Sequence, residues 1–229
     1  SSESIYMIKR SDSDGVNDVL IHLRYSFSVL LLPISLFGWT CVPNAELFDV
    51  MMLFIILHLL VYPSSNGYNS LMDKDEGSIG GIKDPSAVPT QMFAISIIFD
   101  ALALALTFLY FDHWSMLFLL AYILASRAYS YRQIRLKKYP VLGFMTVFIF
   151  QGAWIFVLVN MALQTNFIFS LPILLPALVA SLIMGASYPL TQVYQHQQDA
   201  NDGVRTLSMQ LGIRGTFWFT IPAGYYLIN

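Results

Sequence analysis

Long apolar runs alternate with shorter polar interruptions along this chain, and each run is close to the length of one bilayer crossing. They fall near 21–42, 47–65, 92–111, 114–130, 140–160, 168–188 and 214–229. A hydrocarbon core of about 30 Å takes roughly 20 apolar residues as a helix. In lipid the backbone finds no water, so each run must close its hydrogen bonds internally, which a helix does and a lone strand does not. The pattern therefore predicts an all-α fold, a polytopic membrane helical bundle with seven spans. The fourth run is the short one, and the seventh reaches the final residue, Asn229. Residues 1–20 are polar and read as an N-terminal segment ahead of a transmembrane domain over 21–229. They lack the charged-then-apolar pattern of a signal peptide, so no cleavage is expected there.

Composition sharpens this picture. Hydrophobic residues make up 56% of the 229 and charged residues only 11%, against about 25% charged in a soluble domain. That deficit, with the number and length of the apolar runs, argues against the alternative of a buried-core helical bundle in water. A net charge of -2 gives no basic field for nucleic acid, so no nucleic-acid partner is expected. The single cysteine, Cys41, has no internal disulfide partner.

The placement of charge orients the spans. With seven alternating helices, all 12 Lys and Arg fall on one face: in the N-terminal segment and in the connections after spans 2, 4 and 6. The opposite connections, near 43–46, 112–113 and 161–167, hold none, and two of them carry only the acids Glu46 and Asp112. This positive-inside bias predicts a cytoplasmic N-terminus and long polar connections at a cytoplasmic mouth. A bacterial inner membrane is the expected location.

Three polar stretches meet at that mouth. After span 2 comes Asn66-Gly67-Tyr68-Asn69-Ser70-Leu71-Met72-Asp73-Lys74-Asp75-Glu76-Gly77. If the helix continues, Asn66, Asn69, Asp73 and Glu76 share one face. Such a row of oxygen donors suits Mg²⁺, though Asp and Asn are also common at a solvated helix end. After span 6, Gln195 and Asp199 stand four apart, and His196, Asp199 and Asp202 follow at threes, ahead of a helix-stopping Gly203. After span 4, Tyr131 is followed by Arg132-Gln133-Ile134-Arg135-Leu136-Lys137-Lys138, four cations in seven residues. These suit either a diphosphate or anionic lipid headgroups. Acidic and basic patches together, beside a lipid-accessible cavity, suggest a metal-bound phosphate ester with an apolar tail.

At these residues the sequence resembles the UbiA superfamily of intramembrane prenyltransferases. The family's first motif, Asn-Asp-x-x-Asp-x-x-x-Asp, is matched by Asn69 and Asp73, and Asp73-Lys74-Asp75 resembles its Asp-Arg-Asp centre. Ser70 stands in place of the second residue and Gly77 in place of the last, with Glu76 one position earlier. The second motif, Asp-x-x-x-Asp followed by Gly-Lys-Arg-Thr-Leu, is matched by Asp199 and by Gly203-Val204-Arg205-Thr206-Leu207, with Gln195 at the first Asp. Tyr129-Ser130, Arg135 and Pro140 resemble the family's Tyr-Pro-x-x-Lys-Arg connection with about one residue inserted. The family has nine spans, so the resemblance implies that this chain supplies seven and that the last two are missing.

The resemblance also implies a reaction. Mg²⁺ held by Asn69, Asp73, Glu76, Gln195 and Asp199 would bridge the diphosphate of an allylic isoprenyl donor and act on the leaving group. Arg135, Lys137, Lys138 and Arg205 would hold the diphosphate oxygens, with Asn66, Tyr131 and Arg132 beside them. Asp73, Asp199 and Arg135 would be the catalytic set. The allylic cation would lie against Tyr and Phe faces, and an electron-rich, aromatic acceptor would attack it. The alternative is a degenerate family member, or a transporter-like membrane protein, that binds an isoprenoid without turnover.

Three polar residues inside the apolar runs complete the expectations. Asp100 reads as a hydrogen bond to a neighbouring helix ahead of a cavity wall. His58 reads as a satisfied packing residue. Gln151 reads as lining the acceptor pocket, with Gly152 allowing close helix approach.

Overall fold

The computed structural model describes residues 12–73, 87–164 and 166–228, with the backbone alone described at 12–14, 198 and 222–228. Each apolar run of the sequence is a helix. We number them α1 Asp12–Leu23, α2 Tyr25–Thr40, α3 Leu47–Asp73, α4 Met92–Tyr110, α5 His113–Ser130, α6 Pro140–Leu163, α7 Leu171–Gln192, α8 His196–Asn201 and α9 Leu207–Ile228. Among the described residues there is no strand.

Among the described residues, five segments are long and apolar enough to cross a membrane: Gly15–Thr40, α3, α4, α6 and Leu171–Gln195. Two expected spans fall outside that set although both are helices. α5 is full length but carries Ser115, Ser126, Arg127 and Ser130, and α9 is broken at Gly212, whose φ of 67° no helix contains. The N-terminal boundary also moves. The first span does not run unbroken from residue 21: Arg24 takes a left-handed conformation (φ 48°, ψ 53°) and separates α1 from α2.

Packing follows sequence neighbours, α3 on α4, α4 on α5, α6 on α7 and α7 on α9, with α2 against both α3 and α6. Ile34, Leu57, Leu119, Tyr122, Phe156 and Ala180 belong to the shared core. Leu30, Ile98, Leu109, Leu124, Val141 and Leu175 point outward on the opposite sides of their helices. With lipid outside as apolar as the core, close backbone approach and interhelical hydrogen bonds hold such helices together. Gly38 of α2 leaves room for Val159 of α6, and the neighbouring Asn160 amide donates to the Gly38 carbonyl at 3.2 Å.

Two helices widen into π turns, α3 at Ile55–Val61 and α6 at Phe148–Trp154. Each is bridged by a serine from the adjacent helix. Ser28 Oγ donates to the His58 carbonyl at 2.9 Å, and Ser28 and Ser35 flank the His58 ring nitrogens at 2.9 and 3.0 Å. Ser181 Oγ donates to the Phe148 carbonyl at 2.6 Å and accepts from the Ala153 N–H at 2.9 Å. Gly152 permits this, because a Cβ there would overlap the Ser181 backbone. A serine hydroxyl thus satisfies backbone groups near each widened turn, a common origin of such turns. His58 is the satisfied packing residue expected of it.

Asp100 is likewise structural. It is 7% exposed, accepts from Ser64 Oγ at 2.7 Å, and is paired with Arg127. Arg127 does not lie in the connection after α5, as its sequence position suggested. It sits in the last turn of α5, its guanidinium 4.3 Å from the Tyr68 ring centroid. The pair joins α4 to α5, and Ser64 brings in α3.

Candidate functional site

The polar second half of α3 remains helical because its side chains find partners on other elements. Asn66 donates to the Leu23 and Arg24 carbonyls at 3.3 and 3.4 Å, which anchors the break between α1 and α2. Asn69 Oδ1 accepts from Ser130 at 2.8 Å and from the Lys137 ammonium at 3.2 Å. Ser70 Oγ accepts from Arg24 at 2.7 Å. Asp73, in the final turn, is paired with both Arg135 (3.2 Å) and Lys137.

The connection after α5 splits its four cations. Arg135 has φ 44° and ψ 60°, an uncommon conformation for a side chain with a Cβ, and a short 3₁₀ turn, Leu136–Lys138, follows it. This reversal buries Arg135 and Lys137 and leaves Arg132, Lys138 and Tyr131 exposed. Arg132 bonds the Met72 carbonyl. α6 then starts directly over the turn, where Gly143 clears the Lys137 backbone.

Beyond α7, the 3₁₀ turn Val193–Gln195 and α8 bring Gln195 and Asp199 to the same place, and Gly203 (φ 67°) closes the helix with the Val204 N–H donating to the Asp199 carbonyl at 2.8 Å. The Arg205 N–H donates to the Lys138 carbonyl at 3.3 Å, which ties the two connections together. The Arg205 side chain itself is exposed. Asp202 pairs with Arg135.

The outcome is a pocket of about 70 Å³ lined by, among others, Asn69, Asp73, Lys137, Gln195, Asp199 and Asp202. Asp73 and Asp199, 126 positions apart in the chain, thus share one pocket. Below it lies a larger, mostly apolar cavity of about 280 Å³ that includes Phe27, Leu31, Tyr122, Phe150, Gln151 and Met184 in its wall. Asn69, Tyr129, Tyr188 and Thr191 line both, and the Tyr129 and Tyr188 hydroxyls are hydrogen-bonded to each other.

Electrostatics single out Asp199. Burial, followed by the nearby carboxylates of Asp73 and Asp202, pushes its pKa up to about 6, against the opposing pull of Lys137 and Arg135. Its carboxylate has no hydrogen bond or ion pair among the described residues, whereas Asp73 and Asp202 both do. Among the described residues no three His, Cys, Asp or Glu side chains form a ready-made metal cage.

Of the residues singled out from sequence, Asn69, Asp73, Gln195, Asp199 and Lys137 line the polar pocket, Arg135 touches two of its carboxylates, and Asn66 and Gln151 line the cavity. Tyr131, Arg132, Lys138 and Arg205 turn away from it. Glu76 lies outside the described residues, as do Lys74, Asp75 and Gly77. Sequence reasoning did not select Arg24, Gln192, Tyr129, Tyr188 or Asp202 as site residues. Asp202, three residues after Asp199, left a signal in the spacing, and Tyr129 left one in the likeness of its connection to the family's.

Fold and site together define an all-helical, multi-pass membrane protein whose polar pocket caps an apolar cavity. The chain belongs to the UbiA prenyltransferase family, whose model matches residues 28–228. Its fold is similar to that of a UbiA homolog from Archaeoglobus fulgidus. The structure of that protein bound to DMAPP and Mg²⁺ aligns with a TM-score of 0.69 at 20% identity, over 91% of this chain and 74% of that one. The structure bound to GPP and Mg²⁺ aligns with a TM-score of 0.69 at 21% identity, over the same shares. No curated protein matches the sequence.

Proposed function

We propose that this protein transfers an isoprenyl group from an allylic isoprenyl diphosphate to an electron-rich acceptor, an aromatic ring foremost, at the cytoplasmic face of a bacterial inner membrane. The observation that carries the reading is the stacking of a charged pocket holding Asp73 and Asp199 directly on an apolar cavity, with Asn69, Tyr129, Tyr188 and Thr191 shared between them. That shape matches an amphiphile with an anionic head and a hydrocarbon tail. Family membership supports prenyl transfer, and the similar Archaeoglobus protein was solved with GPP, DMAPP and Mg²⁺.

The donor set fits Mg²⁺. Asp199 is crowded by two other carboxylates and has no cation of its own, and Mg²⁺ is commonly held by one or two carboxylates together with substrate phosphates. Asp199 and Gln195 would hold it beside the diphosphate, with Asp73 and Asn69 facing it across the pocket, and Glu76 is a further candidate. When bound, it supplies Lewis-acid stabilisation of the departing diphosphate.

The chain's own residues do the rest. Lys137 and Arg135, fixed by Asp73 and Asp202, present buried positive charge to the diphosphate, where a preorganised cation acts without reorganising. Arg24 adds a third cation to the pocket wall. The tail lies in the cavity below. As the C–O bond ionises, the allylic cation faces the rings of Tyr129, Tyr188, Tyr122 and Phe150, whose π faces stabilise it. Gln151, held inward by the π turn of α6, and Asn66 offer amide groups to orient the acceptor.

The test is turnover in detergent with Mg²⁺ and an isoprenyl diphosphate, comparing the parent with Asp73→Ala and Asp199→Ala. Loss in both variants supports the reading; equal activity in all three defeats it. A second reading, binding without turnover, draws on Asp73 being held by two cations while Ser70 and Gln195 contribute no charge. Mg²⁺-dependent binding of the diphosphate with no product would favour it.

A further inference from the structure

Lys137 sits where two oxygen donors of the polar pocket meet. Its ammonium donates to Asn69 Oδ1 at 3.2 Å and to Asp73 Oδ2, and the residue is 8% exposed. Arg135 holds the other Asp73 oxygen at 3.2 Å and reaches Asp202 as well. Both oxygens of Asp73 therefore belong to cations of the chain itself. The backbone secures this arrangement: the left-handed Arg135 turns the connection inward, and Gly143 lets α6 rest on the Lys137 backbone.

The opposite wall differs. Asp199 faces the same pocket with no ion pair among the described residues, and Gln195, one turn away, offers a neutral oxygen. An entering divalent ion meets, on the Asp73 side, a carboxylate whose two oxygens already face the Lys137 and Arg135 cations, and on the Asp199 side a carboxylate with no ion pair among the described residues. In a partly buried site, repulsion between like charges at such spacing is only weakly screened.

We propose that Lys137 is a built-in cation occupying Asn69 and Asp73 in the manner of a metal ion, so that the site takes a single divalent cation, on the Asp199 side. The inference rests on the prenyl-transfer reading above, since it presumes a divalent cation accompanying a diphosphate. It assigns Lys137 two tasks: neutralising Asp73, and offering its remaining N–H to a diphosphate oxygen.

The experiment counts ions rather than turnover. The full chain in detergent is dialysed against Mn²⁺ with an isoprenyl diphosphate analogue whose phosphonate linkage cannot ionise. Bound Mn²⁺ per chain is measured, and spin coupling is read by electron paramagnetic resonance. The parent is expected to bind one magnetically isolated Mn²⁺. Lys137→Met frees Asn69 and Asp73 and is expected to bind two coupled ions, and Lys137→Arg one. If Lys137→Met is not monodisperse, the parent count decides: one ion supports the proposal and two overturn it. A Lys137→Met variant that folds and still binds one ion also overturns it. Binding of no Mn²⁺ by any of the three proteins would overturn the prenyl-transfer reading too, whereas two ions in the parent would sink this inference alone.

Discussion

Two of the protein's buried clusters of charge behave differently. In the first, Asp100 and Arg127 pair one to one between α4 and α5, with Ser64 of α3 completing the acid's hydrogen bonds and the Tyr68 ring against the guanidinium. Neither Asp100 nor Arg127 borders the cavity or the polar pocket. In the second, Asp73, Asp202, Arg135 and Lys137 interlock around a pocket, and Asp199 is left without a counterion. The balanced pair holds helices together. The cluster that leaves one carboxylate unpaired beside a void is, on the reading proposed above, the place where a ligand enters.

Breaking the first cluster should give the largest effect. Arg127→Ala leaves Asp100 buried without its partner, and the loss of folding stability is expected to be about 3–5 kcal/mol, read by thermal or denaturant unfolding in detergent. Removing both charges together, Asp100→Asn with Arg127→Met, should restore most of it, because an uncompensated charge costs more than a missing pair. In the second cluster the reverse separation is expected. Asp199→Ala should lower prenyl-transfer turnover about 100-fold or more, the scale of losing a preorganised electrostatic group. The melting temperature should hold or rise, since the lone carboxylate is disfavoured where it stands.

Acidity sharpens the contrast further. The Asp199 pKa is raised from 3.8 to about 6. The folded state therefore binds a proton more readily than the unfolded chain, and the stability linked to this group is fullest below pH 3.8 and declines as pH rises through 6. Ligand binding runs the other way. Divalent-cation affinity needs the ionised form, so below pH 6 it should fall up to tenfold per unit, as isothermal titration at pH 5 and 7 would show. Lys138→Ala is the smallest expected change, within about twofold in turnover, because that exposed side chain sits over solvent while its backbone carbonyl holds Arg205.

The sequence made the helices legible because bilayer thickness imposes a length that apolar runs must meet. Asp73 and Asp199 were legible as acids at helix ends on one membrane face. Which of the four cations near 132–138 turn inward was not, because that depends on one left-handed residue, Arg135, and no local pattern announces it. The π turns were hidden for a related reason: the hydroxyls of Ser28 and Ser181 that sustain them come from other helices. Arg127 misled in the opposite sense. A cation near a helix end reads as a loop residue until Asp100, 27 positions earlier, is seen beside it.

The cap of α2 offers one more use. Cys41 closes that helix at the end remote from Arg24, is exposed, and is the sole thiol in the chain. It is therefore a native beacon for sidedness. If the cation-poor loops face outward, a membrane-impermeant maleimide should tag intact cells at this atom without any engineered label. Protection until the cells are lysed would turn the whole topology upside down.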